Sequence, residues 1–276
     1  MEIENLTIEF IQPESIRSIR GRTGDGMMAE TYGCDVVWSD GSQQRAFLKC
    51  FPECRKLGVV NEITGYLIAR SCSLPVPNKA GVAKLSDEIL ASLNIEICTR
   101  IYPYAFLVTE SPGSSPNSLY PNLHDAAKAK LARHVLKGWP ALCPLIAFDD
   151  WGANPDRNLG NFLIDGSGDI YIIDHSNMPV GVSWTPSELV VDKKYRNCLV
   201  DILTFDGAVP FEAAFVVRAA EGHLEAYNDA KDELAFWWRA FLGSDPKRYH
   251  AIEGFIRERA GKGKDRISQH LLQMPV

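Results

Sequence analysis

Apolar and polar residues alternate at Leu6, Ile8 and Phe10, a period of two that predicts a first strand within residues 1–12. Two β-rich runs, 32–38 and 45–51, flank Ser39-Asp40-Gly41-Ser42 and predict a hairpin. The period then lengthens. Val59, Ile63, Tyr66, Leu67 and Ala69 fall on one helical face, and Leu74-Pro75-Val76-Pro77 ends that helix because proline cannot continue it. Strand patterns return at 81–83, 95–100 and 105–110.

The stretch 111–118, Ser-Pro-Gly-Ser-Ser-Pro-Asn-Ser, has the strongest linker composition in the chain. It divides an expected β-rich lobe, 1–111, from an expected mainly helical lobe, 112–276. In the second part, 125–138 is helix-forming until Gly138 and Pro140 stop it, and an apolar run follows at 141–148. Phe162-Leu163-Ile164 and Ile170-Tyr171-Ile172-Ile173, joined by a turn rich in Gly and Asp, predict a small hairpin. Beyond it the pattern is helical. Thr185-Pro186-Ser187-Glu188 has the order of a capping box, and Pro210 is expected to open a helix. Leu224, Tyr227, Ala230, Leu234, Trp237, Trp238 and Phe241 form an aromatic stripe that reads as core rather than as a ligand cage. Asp245-Pro246 caps a last helix, and the basic tail at 257–266 reads as a solvated helix end. No internal repeat is visible. The fold class expected is α+β, bilobed.

Composition narrows the setting. The 276 residues are 46% hydrophobic and 23% charged, enough apolar material for a sizeable core, and no apolar run reaches the length of a membrane span. The first residues carry no signal-peptide pattern, so a cytoplasmic location is expected. A net charge of −6 disfavours direct nucleic-acid binding. The seven cysteines are irregularly spaced, and the Cys50–Cys54 pair lacks the second pair a zinc site needs, so buried reduced thiols are expected.

The chemistry concentrates around the small hairpin. Asp156, Asn161 and Asp174 lie at its mouth, 5 and then 13 residues apart. This is a suitable set for phosphoryl transfer. One carboxylate orients an attacking hydroxyl, while an amide oxygen and a second carboxylate hold Mg²⁺ on the phosphates of ATP. The spacing from Asp156 to Asn161 matches the protein-kinase catalytic loop. Lys49 sits within the apolar strand run Ala46-Phe47-Leu48-Lys49-Cys50-Phe51, where a lysine needs a partner, and Glu62 on the following helix can supply it. A lysine paired in this way would meet the α/β-phosphates. The loop with Gly21, Gly24 and Gly26 could offer backbone N–H groups to phosphates, although its order is not the usual one. Glu110 and Ser111, at the end of a strand, are candidate hinge residues for the adenine.

The run Ala153-Asn154-Pro155-Asp156-Arg157-Asn158-Leu159-Gly160-Asn161-Phe162 resembles the Gly-Asn-Thr-Asp-Arg-His-x-x-Asn-Phe signature of HipA-like kinases. These are bacterial serine/threonine protein kinases, often toxins of toxin–antitoxin pairs, with a fold related to phosphatidylinositol kinases. The likeness takes in Lys49, Glu62, the Leu74–Pro77 segment and Asp174, and covers roughly residues 20 to 180. It implies a bilobed protein-kinase-like fold in which Asp156 is the catalytic acid/base, Asn161 and Asp174 hold Mg²⁺, and Lys49 holds the phosphates. It also implies a protein substrate and an antitoxin or regulatory protein as partner. The chain resembles the shorter, single-kinase-domain members. It departs from the pattern at Asn158, where the family has His, and at His175-Ser176, which follow Asp174 in place of Phe-Gly. Thr23 is the hydroxyl within the glycine loop, which in the family can be autophosphorylated.

Two other readings stay open at this level. Lipid and antibiotic kinases share parts of the same spacing, although the latter place His where Asn154 stands here. A pseudokinase or partner-binding module would keep the fold without turnover.

Overall fold

The computed structural model describes residues 6–23, 28–93 and 100–271 of the chain. The expected first strand is β1 (Ile8–Ile11), and β2 (Ile16–Arg22), β3 (Glu30–Val37) and β4 (Gln43–Pro52) follow. Helix α1 (Leu57–Ser71) precedes β5 (Ala80–Lys84), the short α2 (Asp87–Ser92) and β6 (Ile101–Thr109). These strands form one six-stranded sheet in the order β1-β5-β6-β4-β3-β2, with β1 and β5 parallel and the other neighbours antiparallel. The strand expected at 95–100 lies almost wholly outside the described residues.

Strand β4 is central and shows why Lys49 points where it does. Ala46, Leu48 and Cys50 enter the core on one face of the sheet, together with Cys34, Val36 and Leu107. By the two-residue period Lys49 faces the other side, with Phe47 and Phe51, toward α1. Helix α1 is covered all round: every residue from Leu57 to Ala69 is buried. A helix enclosed in this way can keep polar side chains only if each finds a partner. Asn61, Glu62 and Thr64 all do. Asn61 donates to the carbonyls of Ser176 and Gly181 and accepts from the Trp184 indole, while Thr64 accepts from the Trp238 indole at 2.8 Å.

Past β6 the chain is helical apart from one hairpin. It runs through α3 (Pro116–Leu119), α4 (Asp125–Val135) and α5 (Leu142–Trp151) to β7 (Phe162–Ile164) and β8 (Ile170–Ile172), which pair antiparallel as expected. Then come α6 (Cys198–Leu203), α7 (Ala213–Glu221), α8 (His223–Leu242), α9 (Pro246–Gly261) and α10 (Gly263–Leu271). The aromatic stripe is core apart from its first member: Leu224 is exposed, whereas Tyr227, Ala230, Leu234, Trp237 and Trp238 on α8 are buried. They join α1, α5 and β1 in one hydrophobic cluster. Glu233 on α8 also accepts the backbone N–H groups of Thr7 and Ile8, which ties the long helix to the first strand. Among the described residues, no helix is long and apolar enough to cross a membrane.

Three sequence expectations change. The capping box is formed, with Glu188 accepting the Thr185 N–H at 2.7 Å, but it starts a single 3₁₀ turn rather than a helix. Pro210 precedes its helix, which begins at Ala213. The basic tail is not simply solvated. Arg259 is fully buried and donates to the carbonyls of Trp151, Asp150, Val191 and Lys193, closing the C-terminal end of α5. Arg266, also buried, pairs with the Asp150 carboxylate at 2.5 Å.

His223 packs into the same region, stacked on Trp151 with centroids 4.7 Å apart. Burial, reinforced by the charge of Arg266, lowers its pKa to about 3. A histidine held neutral in the fold takes up a proton more readily when unfolded, so its contribution is present above pH 6.5 and is lost as pH falls from there toward 3. Between pH 7.5 and 5.5 the chain should lose about 1.4 kcal/mol of stability relative to a His223→Phe variant. Urea unfolding of both proteins at the two pH values measures it, and a constant difference between them would exclude a neutral buried imidazole.

Candidate active site

The expected site residues meet in a cleft of about 600 Å³ between β3, β4 and the segments around β7 and β8. Lys49, Asp156, Asn161 and Asp174 all line it. Lys49 Nζ lies 2.5 Å from Glu62 Oε1 and 3.4 Å from Asp174 Oδ1. The second oxygen of Glu62 accepts the backbone N–H of His175 at 3.1 Å, so one helix carboxylate fixes both the strand lysine and the chain just past Asp174.

The electrostatics separate the two acids. Burial pushes the Glu62 carboxyl up to about 7, against the pull of Lys49 and with the help of Asp174's charge. Burial also acts on Asp174, but Lys49 and the Ser176 hydroxyl at 2.8 Å overcome it and hold this carboxyl below the ordinary range. Lys49 loses by burial and gains more from Asp174 and Glu62, so its pKa rises and the ammonium persists. Asp174 adopts a left-handed φ of 61°, a conformation that Asp tolerates better than most residues.

Asp156 is held by neighbouring amides. Its Oδ1 accepts from Asn158 Nδ2 at 3.0 Å and its Oδ2 from Asn177 Nδ2 at 2.9 Å, while its backbone N–H donates to Asn154 Oδ1. The Asn161 amide nitrogen donates to the Asp156 carbonyl at 2.7 Å, which leaves Asn161 Oδ1 as the atom for a cation. An ionised Asp174 and an amide oxygen are hard donors that fit Mg²⁺. Among the described residues no group of three or more His, Cys, Asp or Glu could hold a metal, and a nucleotide-borne Mg²⁺ needs none, since phosphates and water complete its shell.

Beneath the cleft lies a group that sequence reasoning passed over. Arg157, with no solvent exposure, forks onto the equally buried Asp149 of α5 and donates to the carbonyl of Ile173 at 2.9 Å. The same Nη2 that donates to Asp149 also meets His175 Nδ1 at 3.2 Å. Guanidinium only donates, so this imidazole nitrogen accepts, and burial with the charges of Arg157 and Lys49 keeps the ring neutral. Helix α1 comes so close to this loop that a Cβ on Gly65 would sit 2.2 Å from that of His175. The acid at 149 within the apolar run Ala147-Phe148-Asp149-Asp150-Trp151 was the signal available, because a buried carboxylate demands a cation.

Other expected residues fare differently. Gly24 and Gly26 lie outside the described residues. Gly21 belongs to β2, and Thr23 is tied back to the Thr31 carbonyl through both its N–H and its hydroxyl. Glu110 and Ser111 do not line the cleft. The Glu110 N–H is bonded to the Arg45 carbonyl, its carboxylate pairs with Arg45 at 3.0 Å, and Ser111 is buried. Residues not expected there also line it, among them Thr31, Asn117, Asn177 and Val180.

No protein-family model matches the chain, and no curated protein sequence matches it. Among solved structures it is similar to the crystal structure of a Helicobacter pylori proinflammatory kinase, CtkA, with a TM-score of 0.54 and 12% sequence identity. The match covers 97% of this chain and 100% of that one. The fold is kinase-like. A β-sheet first part and a helical second part agree with the α+β class expected from the sequence.

The Asp149–Arg157 pair generates a stability prediction. Arg157→Met strands a buried carboxylate and should cost about 3–5 kcal/mol, read as a lower urea midpoint. Replacing Asp149 by Leu in the same protein should recover part of that loss. A midpoint unmoved by Arg157→Met would show that the pair does not hold the loop.

Proposed function

We propose that the chain is an ATP- and Mg²⁺-dependent kinase that phosphorylates Ser or Thr of a protein substrate, in the manner of the HipA-like kinases its loop resembles. One observation carries the reading: Lys49 bridges Glu62 and Asp174 in the same cleft that Asp156 and Asn161 line. The kinase-like fold of the structural neighbour supports it.

Asp174 and the Asn161 side-chain oxygen would hold the metal. When bound there, Mg²⁺ would neutralise charge on the β- and γ-phosphates. Lys49, kept cationic by its two carboxylates, would pair with the phosphates nearer the ribose. Asp156 would accept a hydrogen bond from the acceptor hydroxyl and so aim its oxygen at the γ-phosphorus. As the new O–P bond forms, the bond from that phosphorus to the β–γ bridging oxygen breaks. The hydroxyl proton ends on Asp156, and ADP departs. Catalysis of this kind is mostly positioning and electrostatics, which suits a site whose polar groups are already tied down. A role as the toxin of a toxin–antitoxin pair, restrained by an antitoxin or other regulatory protein in the cytoplasm, follows from the same resemblance.

With labelled ATP and Mg²⁺, the protein should label a protein in cell lysate on Ser or Thr. Asp156→Asn should lower that rate by roughly 10²- to 10⁴-fold. Asp174→Asn should remove the Mg²⁺-dependent thermal stabilisation by ATP. Label appearing in phosphoinositides or aminoglycosides, with none in protein, would replace the protein-kinase reading by a lipid or antibiotic kinase. No transfer to any acceptor, with MgATP binding retained, would make the chain a pseudokinase.

A further inference from the structure

We infer that Asn177 is a positioning residue that sets Asp156 for the acceptor hydroxyl, with Asn158 as its second support; the inference rests on the kinase reading above. Each carboxylate oxygen of Asp156 receives one side-chain amide, Asn158 on Oδ1 at 3.0 Å and Asn177 on Oδ2 at 2.9 Å. Two donors on opposite oxygens fix the plane of a carboxylate that would otherwise turn about its side-chain bonds. An ionised carboxylate has about four acceptor positions, so the clamp leaves room for a substrate hydroxyl.

Both supports are neutral, and that choice has a chemical consequence. A guanidinium or ammonium in the same place would form an ion pair and weaken Asp156 as a proton acceptor. An amide orients the group without adding charge. The amide orientations are dictated by their partners. Asp156 can only accept, so each Asn must present nitrogen to it, and Asn158 Oδ1 in turn accepts the Gly160 N–H at 2.7 Å. Asn158 therefore bonds to both its carboxylate neighbour and the turn beyond it.

Asn177 contributes something that Asn158 cannot. Asn158 belongs to the same loop as Asp156 and moves with it. Asn177 stands three residues beyond Asp174, on a segment fixed by other bonds. His175 there meets Arg157 and Glu62, and the Ser176 carbonyl accepts from Asn61 at 2.6 Å. The Asn177–Asp156 bond thus fixes the proton acceptor relative to the acid assigned to the metal. Exact placement of this kind is where a shift of about 1 Å costs roughly 10²-fold in rate.

Label transfer from ATP into lysate protein, run with wild type, Asn177→Ala, Asp156→Ala and the double variant, tests this. Asn177→Ala should lower the rate at saturating ATP by roughly 10- to 100-fold and leave the half-saturating ATP concentration within about twofold. Asn177→Asp, of the same size but without the donor, should be at least as slow. In the Asp156→Ala background Asn177→Ala should do nothing more, because its target is gone. Effects that multiply, a half-saturating ATP concentration that rises in step, or a rate loss matched by loss of folded protein would each overturn the inference while the kinase reading stands. A readout without turnover separates the two. The Asn177 side-chain amide protons should shift in the NMR spectrum of Asp156→Ala, and an unmoved resonance overturns the clamp. A wild type that transfers no label, together with that shift, would keep the clamp and reject the kinase.

Discussion

Asp149 and Arg157, neither exposed to solvent, form the ion pair on which the geometry of the cleft depends. Arg157 follows Asp156 directly, so fixing its guanidinium fixes the backbone that carries the neighbouring acid. Its other bonds reach the Ile173 carbonyl and the His175 ring, on either side of Asp174. One buried cation therefore sets the two acids of the cleft relative to each other. Burying such a pair is not an efficient way to add stability, since desolvation consumes most of the Coulombic gain. What it provides is a single arrangement, because any shift that parts the charges leaves one of them uncompensated in a dry interior. Burial raises the Asp149 carboxyl, and Arg157 with the Asn154 amide at 2.8 Å works against that.

The four residues Asp174-His175-Ser176-Asn177 read as a sequence of attachments. Asp174 meets Lys49, His175 meets Arg157 and Glu62, Ser176 meets Asn61, and Asn177 meets Asp156. The sheet, α1 and the loop before β7 are all bound to this short stretch. Helix α1 is the intermediary, and its enclosure explains why. A helix exposed on one face could rotate, whereas α1 is gripped between the sheet and α8, with Thr64 bonded to Trp238. Glu62 inherits that rigidity, and Lys49 inherits it from Glu62.

Much of this was legible in the sequence where a local rule was broken. A lysine inside an apolar strand required a partner, and Glu62 was the acid one helix away. An Asp and an Asn five residues apart before a hairpin marked the loop. The hairpin at 162–172 and the α8 stripe followed from period and turn chemistry alone. What stayed hidden depended on long-range contact. Arg259 and Arg266 look like any solvated basic tail until Asp150, more than 100 residues earlier, is placed beside them. Strand β2, Ile-Arg-Ser-Ile-Arg-Gly-Arg, has no alternation because it is an edge strand with no fully buried residue. Asn177 carried no signal, since an amide becomes informative only when the carboxylate it meets is known. Glu110 and Ser111 were chosen for lying at the end of a strand, and the sheet uses the Glu110 N–H itself.

The opposite shifts of Glu62 and Asp174 follow from one lysine serving two carboxylates in unequal surroundings. Glu62 is almost entirely enclosed, so desolvation outweighs the attraction of Lys49 and raises its carboxyl. The Asp174 side chain keeps 41% of its surface exposed and adds the Ser176 hydroxyl to the same lysine, so its charge is retained. Groups whose environments drive their pKa values apart are thereby assigned different work. The acid that stays charged and open to the cleft is the one able to meet a cation. The enclosed one serves to hold Lys49 in place. Exchanging their surroundings, with the sequence otherwise unchanged, would bury the oxygen proposed to hold the metal and leave the lysine tethered to a group that solvent could reach. The order along the chain, Lys49 on a strand, Glu62 on an enclosed helix and Asp174 at a hairpin's mouth, keeps the two roles distinct.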